Sequence, residues 1–512
     1  MREKLTYNLL VILLAVLVSF LNGQNRGNRL GFQGLELLNY PREFSHGGLY
    51  VAFSGDVKNL FFNPAGLSDV RDIQILINGS SINKGWYERQ DYRPNRQLVT
   101  ASFILDGLYT PPDTFNGMID YEAFLLDTAD NYYIVSDPDL GEYPYDEESA
   151  DWVEKKSRNV GGLNVSIPLN LFNKKIAIAA GYNKIPIYNY DRNETYLDPH
   201  FSDDKYNAPS RVTKEEDSVR INWYDFERSR FGDLDEICFA VGFDISENVK
   251  LGFGYKYISG VTNDYQILSK VAYFDLINSY NTFKFSYDSL DLELKGESEF
   301  SAHRLNLGIL YEHSKFNIGM NVNLPYTINR NWQYDRTITK VTSEKVKITG
   351  NDKLKLPMTY SAGIVVKPAD NFIIGLSYNV NKLSRVKVER KYNQYEIPVE
   401  YLFMEDTLNV EENWSNMDYF TIGVIYSPVK NISLSAGYSY IPAVFTPDNV
   451  AIKDRGPMSD LFSFSLSTML PFGEIIISYE LNKLKYYDIY FSNTNYCTEK
   501  LEKLVVGYEI NL

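Results

Sequence analysis

Apolar and polar residues alternate one for one through much of the chain beyond residue 72. Phe372, Ile374, Leu376, Tyr378 and Val380 fall on one side of a predicted strand, with Gly375, Ser377 and Asn379 on the other. Phe316, Ile318, Met320, Val322 and Leu324 oppose Asn317, Gly319, Asn321 and Asn323. Ile432, Leu434, Ala436, Tyr438 and Tyr440 oppose Ser433, Ser435, Gly437 and Ser439, and Phe462, Phe464 and Leu466 oppose Ser463, Ser465 and Ser467. A period of two is that of a β-strand with two unlike faces. The polar faces are rich in Asn and small residues, as the wall of a wet or loosely filled bore would be. A soluble sandwich gives the same alternation with its apolar faces turned inward, so the period alone leaves both architectures open.

The spacing of the strands favours the barrel. Six short connections recur, at Leu169–Lys174, Asp244–Lys250, Glu312–Lys315, Lys367–Asn371, Ser427–Asn431 and Leu470–Glu474. Between those hairpins lie long, polar, acidic stretches at 185–234, 260–299, 325–356 and 383–417, which read as loops. Short turns at one end and long loops at the other are the pattern of a transmembrane antiparallel β-barrel, with the long loops extracellular. Six hairpins, an opening strand near Ile73–Gly79 and a closing strand Leu504–Leu512 make about 14 strands. Segment 98–105 fits this count poorly; it is assigned to the first external loop, with a further strand as the alternative. In the closing strand Leu504, Val506, Tyr508, Ile510 and Leu512 form one apolar face, similar to the C-terminal signal by which barrel-assembly machinery recognises its clients.

Composition narrows the class further. Mean hydropathy is −0.29, low for a helical membrane protein, yet aromatic residues make up 15% of the chain, with 41 Tyr and 29 Phe. Barrels combine polar bore-facing positions with aromatic girdles at both interfaces. Residues 1–23 read as a signal peptide: Arg2 and Lys4, an apolar run from Leu9 to Leu21, then a cleavage point at Gly23-Gln24. No other stretch approaches the ~18 apolar residues of a spanning helix, so a membrane location requires a closed barrel. The net charge of −15 argues against nucleic acid as a partner. Cys238 lies in a predicted strand and Cys497 near the end of a loop, with no metal or disulfide spacing. The four His (His46, His200, His303 and His313) form no ligand motif.

Between the signal and the first strand, residues 24–71 do not alternate. They carry Gly47-Gly48 and the tetrad Asn63-Pro64-Ala65-Gly66. Paired glycines allow close approach or positive φ, and proline fixes φ and removes a donor. A turn-rich segment this short cannot bury a core of its own, so it is expected to fold inside the lumen of a barrel formed by residues 72–512.

On the run GGLYVAFSGDVKNLFFNPAGL the sequence resembles the FadL family of outer-membrane channels. That family takes up long-chain fatty acids and, in relatives of the toluene transporter TodX, aromatic hydrocarbons. The resemblance covers the layout of the whole chain but is specific in residues over only about 25 positions. It implies an N-terminal hatch (plug) that contains this motif, with Asn63, Pro64 and Ala65 mapping directly, in a fourteen-stranded barrel. It also implies that ligand leaves sideways where the third strand kinks inward. The third strand here runs from Lys174 to about Tyr188 and contains Pro186, a residue normally excluded from central strands. Pro186 is therefore either a lateral-opening kink or the end of the strand at the outer rim, where Pro325 and Pro442 sit in other strands.

Other candidate chemistry is sparse. The run Asp137, Asp139, Glu142, Asp146, Glu147, Glu148 and Asp151 could bind calcium or bridge lipopolysaccharide through divalent cations, but lacks the glycine and spacing of an EF-hand loop and reads more simply as a solvated loop. Trp86-Tyr87 and Trp332 with Tyr334 could stack on a ligand or serve as girdle and loop packing. No catalytic constellation stands out, and no enzyme activity, cofactor or metal is expected. The reading is a monomeric channel for passive uptake of hydrophobic small molecules, set in outer-membrane lipid and lipopolysaccharide. The alternatives are a FadL-like barrel acting as a type IX secretion or assembly partner, and a general porin.

Overall fold

A computed structural model describes residues 24–25, 34–35, 38, 45–92, 149–171, 174–201, 218–277, 282–338, 344–392, 414–446, 457–489 and 493–512. The signal segment 1–23, segment 98–105 and the acidic positions 137–148 lie outside the described residues.

Fourteen antiparallel strands close into a barrel. They are β1 (Gln74–Tyr92), β2 (Ser149–Leu171), β3 (Lys174–Phe201), β4 (Ser218–Asp244), β5 (Val249–Ile277) and β6 (Thr282–Glu312). Three strands are interrupted: β7 (Phe316–Asn323 and Tyr326–Ile338), β8 (Glu344–Leu356 and Thr359–Ala369) and β9 (Phe372–Asn381 and Lys387–Tyr392). The circuit ends with β10 (Tyr419–Val429), β11 (Ile432–Pro442), β12 (Met458–Leu470), β13 (Gly473–Ile489) and β14 (Asn493–Asn511), which pairs with β1. All six short connections are hairpin turns at one end, the periplasmic end in barrels of this kind.

The faces are inverted relative to a soluble sandwich. Ile318, Leu376, Phe464 and Val506 are 44, 45, 59 and 49% exposed, while Asn317, Ser377, Ser463 and Val505 across the same strands are buried. Apolar side chains that remain exposed on the outside of a closed sheet are those that meet lipid.

The acidic stretches expected as loops are largely strand. Strands β3 to β6 run 28, 27, 29 and 31 residues, whereas a tilted strand crosses the bilayer core in ~9–11. Their outer halves therefore stand above the membrane. The reason is a polar network on the inner face. Arg230 forks onto Asp264 at 2.8 and 2.9 Å, and Ser298 and Tyr334 donate to the same carboxylate at 2.5 and 2.7 Å. Arg330 donates to Ser298 at 3.0 Å and to Asp352 at 2.6 Å, completing a chain from β4 to β8. Charged positions that interrupt the apolar ones on that face obscure the hydrophobic period. Likewise Cys497, expected near the end of a loop, is buried in β14, and neither it nor Cys238 is in a disulfide.

Pro325 lies inside β7 at a bulge. Between the pairs Ala302↔Ile328 and Asn306↔Asn323, four residues of β7 oppose three of β6. The inward positions accordingly change from odd (Asn317, Asn321) to even (Ile328, Arg330). Pro357 interrupts β8 at the same height, where Leu356↔Tyr326 gives way to Thr359↔Asn323. Pro442 is the last residue of β11.

Candidate functional site

Residues 45–70 fill the lower bore as a succession of 3₁₀ turns. His46, Gly47 and Gly48 all have positive φ, at 61, 63 and 76°. The two glycines tolerate this freely; His46 does so at some strain. Gly47 also lies flat against the wall, where a Cβ would stand 2.7 Å from the Ala436 carbonyl oxygen and 3.1 Å from Gly423 Cα.

Asn63 caps the turn Pro64–Asp69, accepting from the Ala65 amide at 3.2 Å, and Pro64 takes the first position, where a missing N–H is harmless. The Asn63 amide donates to the carbonyls of Val51 at 2.6 Å and Ile309 at 3.2 Å, tying the turn both to its own segment and to β6. Ala65 is fully buried. Gly66 leaves no room for a side chain, since a Cβ would lie 2.6 Å from the Phe53 carbonyl oxygen.

A charged group is enclosed in this segment. Lys58 Nζ lies 3.3 Å from Asp56, whose carboxylate also caps the Lys58 amide at 2.8 Å. Burial opposes ionisation of Asp56, but Lys58, His46 and the Lys58 amide outweigh it and hold the carboxyl below its ordinary range. His46 donates to or accepts from Tyr50 at 3.1 Å. Burial, with Lys58 beside it and only partly offset by Asp56, lowers its pKa to about 4.

At the periplasmic rim Lys250 bridges two carboxylates. Its ammonium meets Asp69 of the N-terminal segment and Glu312 of β6, the latter at 2.7 Å, and Ser54 donates to Glu312. Burial opposes ionisation of Asp69, but its bonds to Glu312, Lys250 and Ser54 together hold its carboxyl below the usual value.

Above the segment lies a cavity of about 310 Å³, floored by Val51, Phe61 and Phe62 and reaching up to Leu38, Tyr419 and Leu461. Its wall carries Lys84, Glu236, Lys256, Arg304, Glu480 and Lys503. Lys84 is paired with Glu499 at 3.2 Å and Lys503 with Glu480 at 3.6 Å. Arg304 is different: 8% exposed, it has no carboxylate partner among the described residues, its Nε has no acceptor, and its guanidinium lies 5.4 Å from the Tyr326 ring. Above it the bore is apolar. Leu35, Leu38, Ile187, Phe300, Trp414 and Met417 belong to one buried cluster, which extends from the N-terminal segment across strands on most sides of the barrel.

One side of the cavity is a gap in the sheet. The β2–β3 ladder runs from Leu171↔Lys174 to Gly162↔Asn183 and stops. Beyond it β2 stays paired only with β1, and β3 only with β4. Pro186 lies three residues past the last pair, yet the β3–β4 ladder passes through it in register, Pro186 opposite Asp233. Proline therefore does not end the strand, which continues to Phe201. From Ile187 to Asp191 both faces of β3 are covered. Ile187 joins the bore cluster, while Tyr188 and Tyr190 pack on the bore-facing Ile82 and Trp86 of β1. The outer β3–β4 limb thus lies inside the β1–β2 limb. The layers are joined by side chains: Arg158 donates to Asp233 at 3.0 Å, and Lys156 sits 4.6 Å over the Phe231 ring. Val160, Gly161, Ile185 and Pro186, the lips of this seam, all line the cavity.

Sequence reasoning found the turn residues, Pro186 and, as a candidate stacking residue, Trp86, but missed Arg304, the seam partner Tyr188, and Lys250. Arg304 carried a weak signal, a cation at an inward position beside Leu305 and Leu307. Trp332 and Tyr334 stack on each other at 5.0 Å beside Arg330 in the inner face of β7. Among the described residues no cluster of His, Cys, Asp or Glu could hold a metal ion.

No protein-family model and no curated protein matches the sequence. Solved structures do match the fold. A Pseudomonas aeruginosa FadL homologue superposes with a TM-score of 0.54 at 10% identity, over 96% of this chain and 99% of that one. The monoaromatic hydrocarbon channel CymD gives 0.51 at 13%, over 92 and 97%. The P. putida toluene transporter TodX gives 0.50 at 10%, over 91 and 97%. The fold of this chain is that of the FadL- and TodX-type channels.

Proposed function

We propose that this barrel is an outer-membrane channel for passive uptake of hydrophobic solutes, with long-chain fatty acids as the cargo its bore suits best. The observation that carries the reading is the apolar cluster inside the bore with, at its lower edge, the Arg304 guanidinium, which has no carboxylate partner among the described residues. An acyl chain gains ~0.8 kcal/mol per methylene removed from water, and a carboxylate on Arg304 would satisfy that buried cation. Residues 24–71 act as the hatch, Gly47, Gly48 and Asn63 to Gly66 seating it against the wall. Solute captured among the external loops passes to the cluster and leaves through the β2–β3 seam at Pro186 into the bilayer, or past the hatch to the periplasm. A general porin needs an open aqueous bore; this one is filled at two levels.

The test is uptake of radiolabelled oleate by a deletion strain complemented with wild-type or Arg304→Gln protein. Uptake should depend on the gene, and the variant should raise the half-saturating concentration about ten- to a hundredfold, the worth of one charge-assisted hydrogen bond. Equal uptake with and without the gene would refute the reading. Recovery of secretion components on the purified barrel, with oleate uptake unchanged, would favour an assembly partner instead.

A further inference from the structure

The seam contains two buried hydrogen-bond donors that no other described residue uses. Trp86, on the inner face of β1, is 2% exposed, and its indole Nε1 has no acceptor. Tyr188, on the inward limb of β3, is 6% exposed, and its hydroxyl has no partner. Both belong to the same small cluster between the overlapping layers. Its walls are aromatic: Trp86 lies 5.9 Å from Tyr190 and 6.2 Å from Phe231, and Tyr188 lies 6.2 Å from Phe231. Tyr188 also lines the cavity, so its face of the cluster opens directly onto the chamber.

A phenylalanine at position 188 would fill nearly the same space without burying an unmet donor, and an apolar side chain at position 86 would likewise bury none; burying one is unfavourable. The indole N–H can only donate, and a tyrosine hydroxyl donates readily, so the missing partner is an acceptor. The nearby cations are each paired already: Lys84, 4.8 Å over the Trp86 ring, with Glu499, Lys156 with Glu154 at 2.8 Å, and Arg158 with Asp233, so the recess has no spare positive charge among the described residues. It is built for a neutral or weakly polar oxygen rather than for an isolated anion.

We propose that Trp86 and Tyr188 form a seam subsite that binds an oxygen acceptor (a carbonyl, ester, ether or carboxyl oxygen) on an otherwise apolar cargo. The proposal rests on the uptake reading above and adds a selection rule to it. Cargo bearing an acceptor is held between the layers as it leaves the chamber, and a plain hydrocarbon of equal size is not. Arg304 reads charge in the chamber, and the seam reads an acceptor without regard to charge.

The experiment compares methyl laurate with tridecane, which match in chain size and lack charge, for binding to the full-length protein in liposomes. Wild-type protein should bind both, methyl laurate more tightly. Trp86→Phe and Tyr188→Phe should each weaken methyl laurate about tenfold and leave tridecane unchanged. Tyr188→Phe should not melt below the wild type, because it removes only a hydroxyl that no described residue bonds; Trp86→Phe also shrinks the ring and leaves a small cavity, so it is read by the ratio of methyl laurate to tridecane affinity alone. Wild type binding both probes, with the variants weakening neither or both alike, would overturn the subsite while leaving the channel reading intact. A lowered melting temperature in Tyr188→Phe would also overturn it, since that hydroxyl would then have a structural partner. Wild type binding neither probe would remove the channel reading and the subsite together.

Discussion

The wall of the lower bore is glycine where the N-terminal segment touches it. Gly242, Gly252 and Gly308 lie side by side on β4, β5 and β6, and all three face the turn that begins at Asn63 and Pro64. A Cβ at Gly242 would stand 2.5 Å from the Pro64 carbonyl oxygen and 2.8 Å from the Ser68 amide nitrogen. At Gly252 it would meet the Ala65 amide, and at Gly308 the Asn63 side-chain oxygen. Most of these contacts are to backbone, which cannot rotate away. Overpacking of this kind costs about 1–3 kcal/mol per site. The three sites press on one turn and will not add fully, and Ala regains up to about 1 kcal/mol over Gly in backbone entropy. A net cost of about 2–5 kcal/mol follows for the triple variant Gly242→Ala, Gly252→Ala, Gly308→Ala. That shifts the seated population of the segment by roughly thirty- to several-thousandfold, while the barrel ladder is untouched because each Cβ points into the bore. Hydrogen exchange should show residues 45–70 losing protection with the strands unchanged, and single-channel recordings should show added conductance. Gly79→Ala is the control, since its Cβ would meet nothing within 4 Å. A triple variant that keeps wild-type protection over 45–70 would refute the close-approach argument.

Three further outcomes are expected. His46 is held neutral with a pKa of about 4 against an ordinary 6.5, so the unseated segment binds a proton that the seated one refuses between those values. Seating should be strongest above pH 6.5 and weaken as pH falls toward 4, by at most about 3 kcal/mol; hydrogen exchange of 45–62 across that range should show it, and His46→Gln should flatten the response. Asp56, depressed instead, acts in a separate and lower window: its contribution persists above the ordinary carboxylate range and is lost only as pH falls below it. Lys250→Ala leaves Asp69 and Glu312 facing each other without their cation and should loosen the rim contact by about 1–3 kcal/mol. Faster exchange confined to residues 66–72 is the expected result, and unchanged exchange would count against the contact. Arg158→Ala removes a half-exposed guanidinium from the 9%-exposed Asp233, leaves that carboxylate without its cation, and should lower barrel stability by about 1–3 kcal/mol, measured as the urea midpoint; an unchanged midpoint would count against the contact.

The alternating faces, the six hairpins and the closing strand were legible because lipid imposes a hydrophobic signal of period two on the outside of a closed sheet. The N-terminal segment was legible as turns because Asn-Pro and paired Gly restrict backbone geometry locally, whatever surrounds them. The upper wall was not. In 260–299 and 325–356 charged positions interrupt the apolar ones on the inner face, and what ties these stretches together as strand is the pairing of Arg230, Asp264, Arg330 and Asp352 across β4 to β8. Pro186 shows the division within one residue. Its missing N–H announced a lost ladder contact, but the strand could equally have ended there.

The sequence by itself determined that the chain crosses a membrane as a closed sheet, and where its turns fall, because those properties depend on residues next to each other in the chain. Only the tertiary structure decided that the β2–β3 ladder opens beside a cavity, that Arg304 meets no carboxylate among the described residues, and that Trp86 and Tyr188 meet between two layers. Those facts depend on which groups arrive from distant strands and, for the unmet donors and cation, on which do not. A pairing that is absent leaves no mark on either of the residues that lack it.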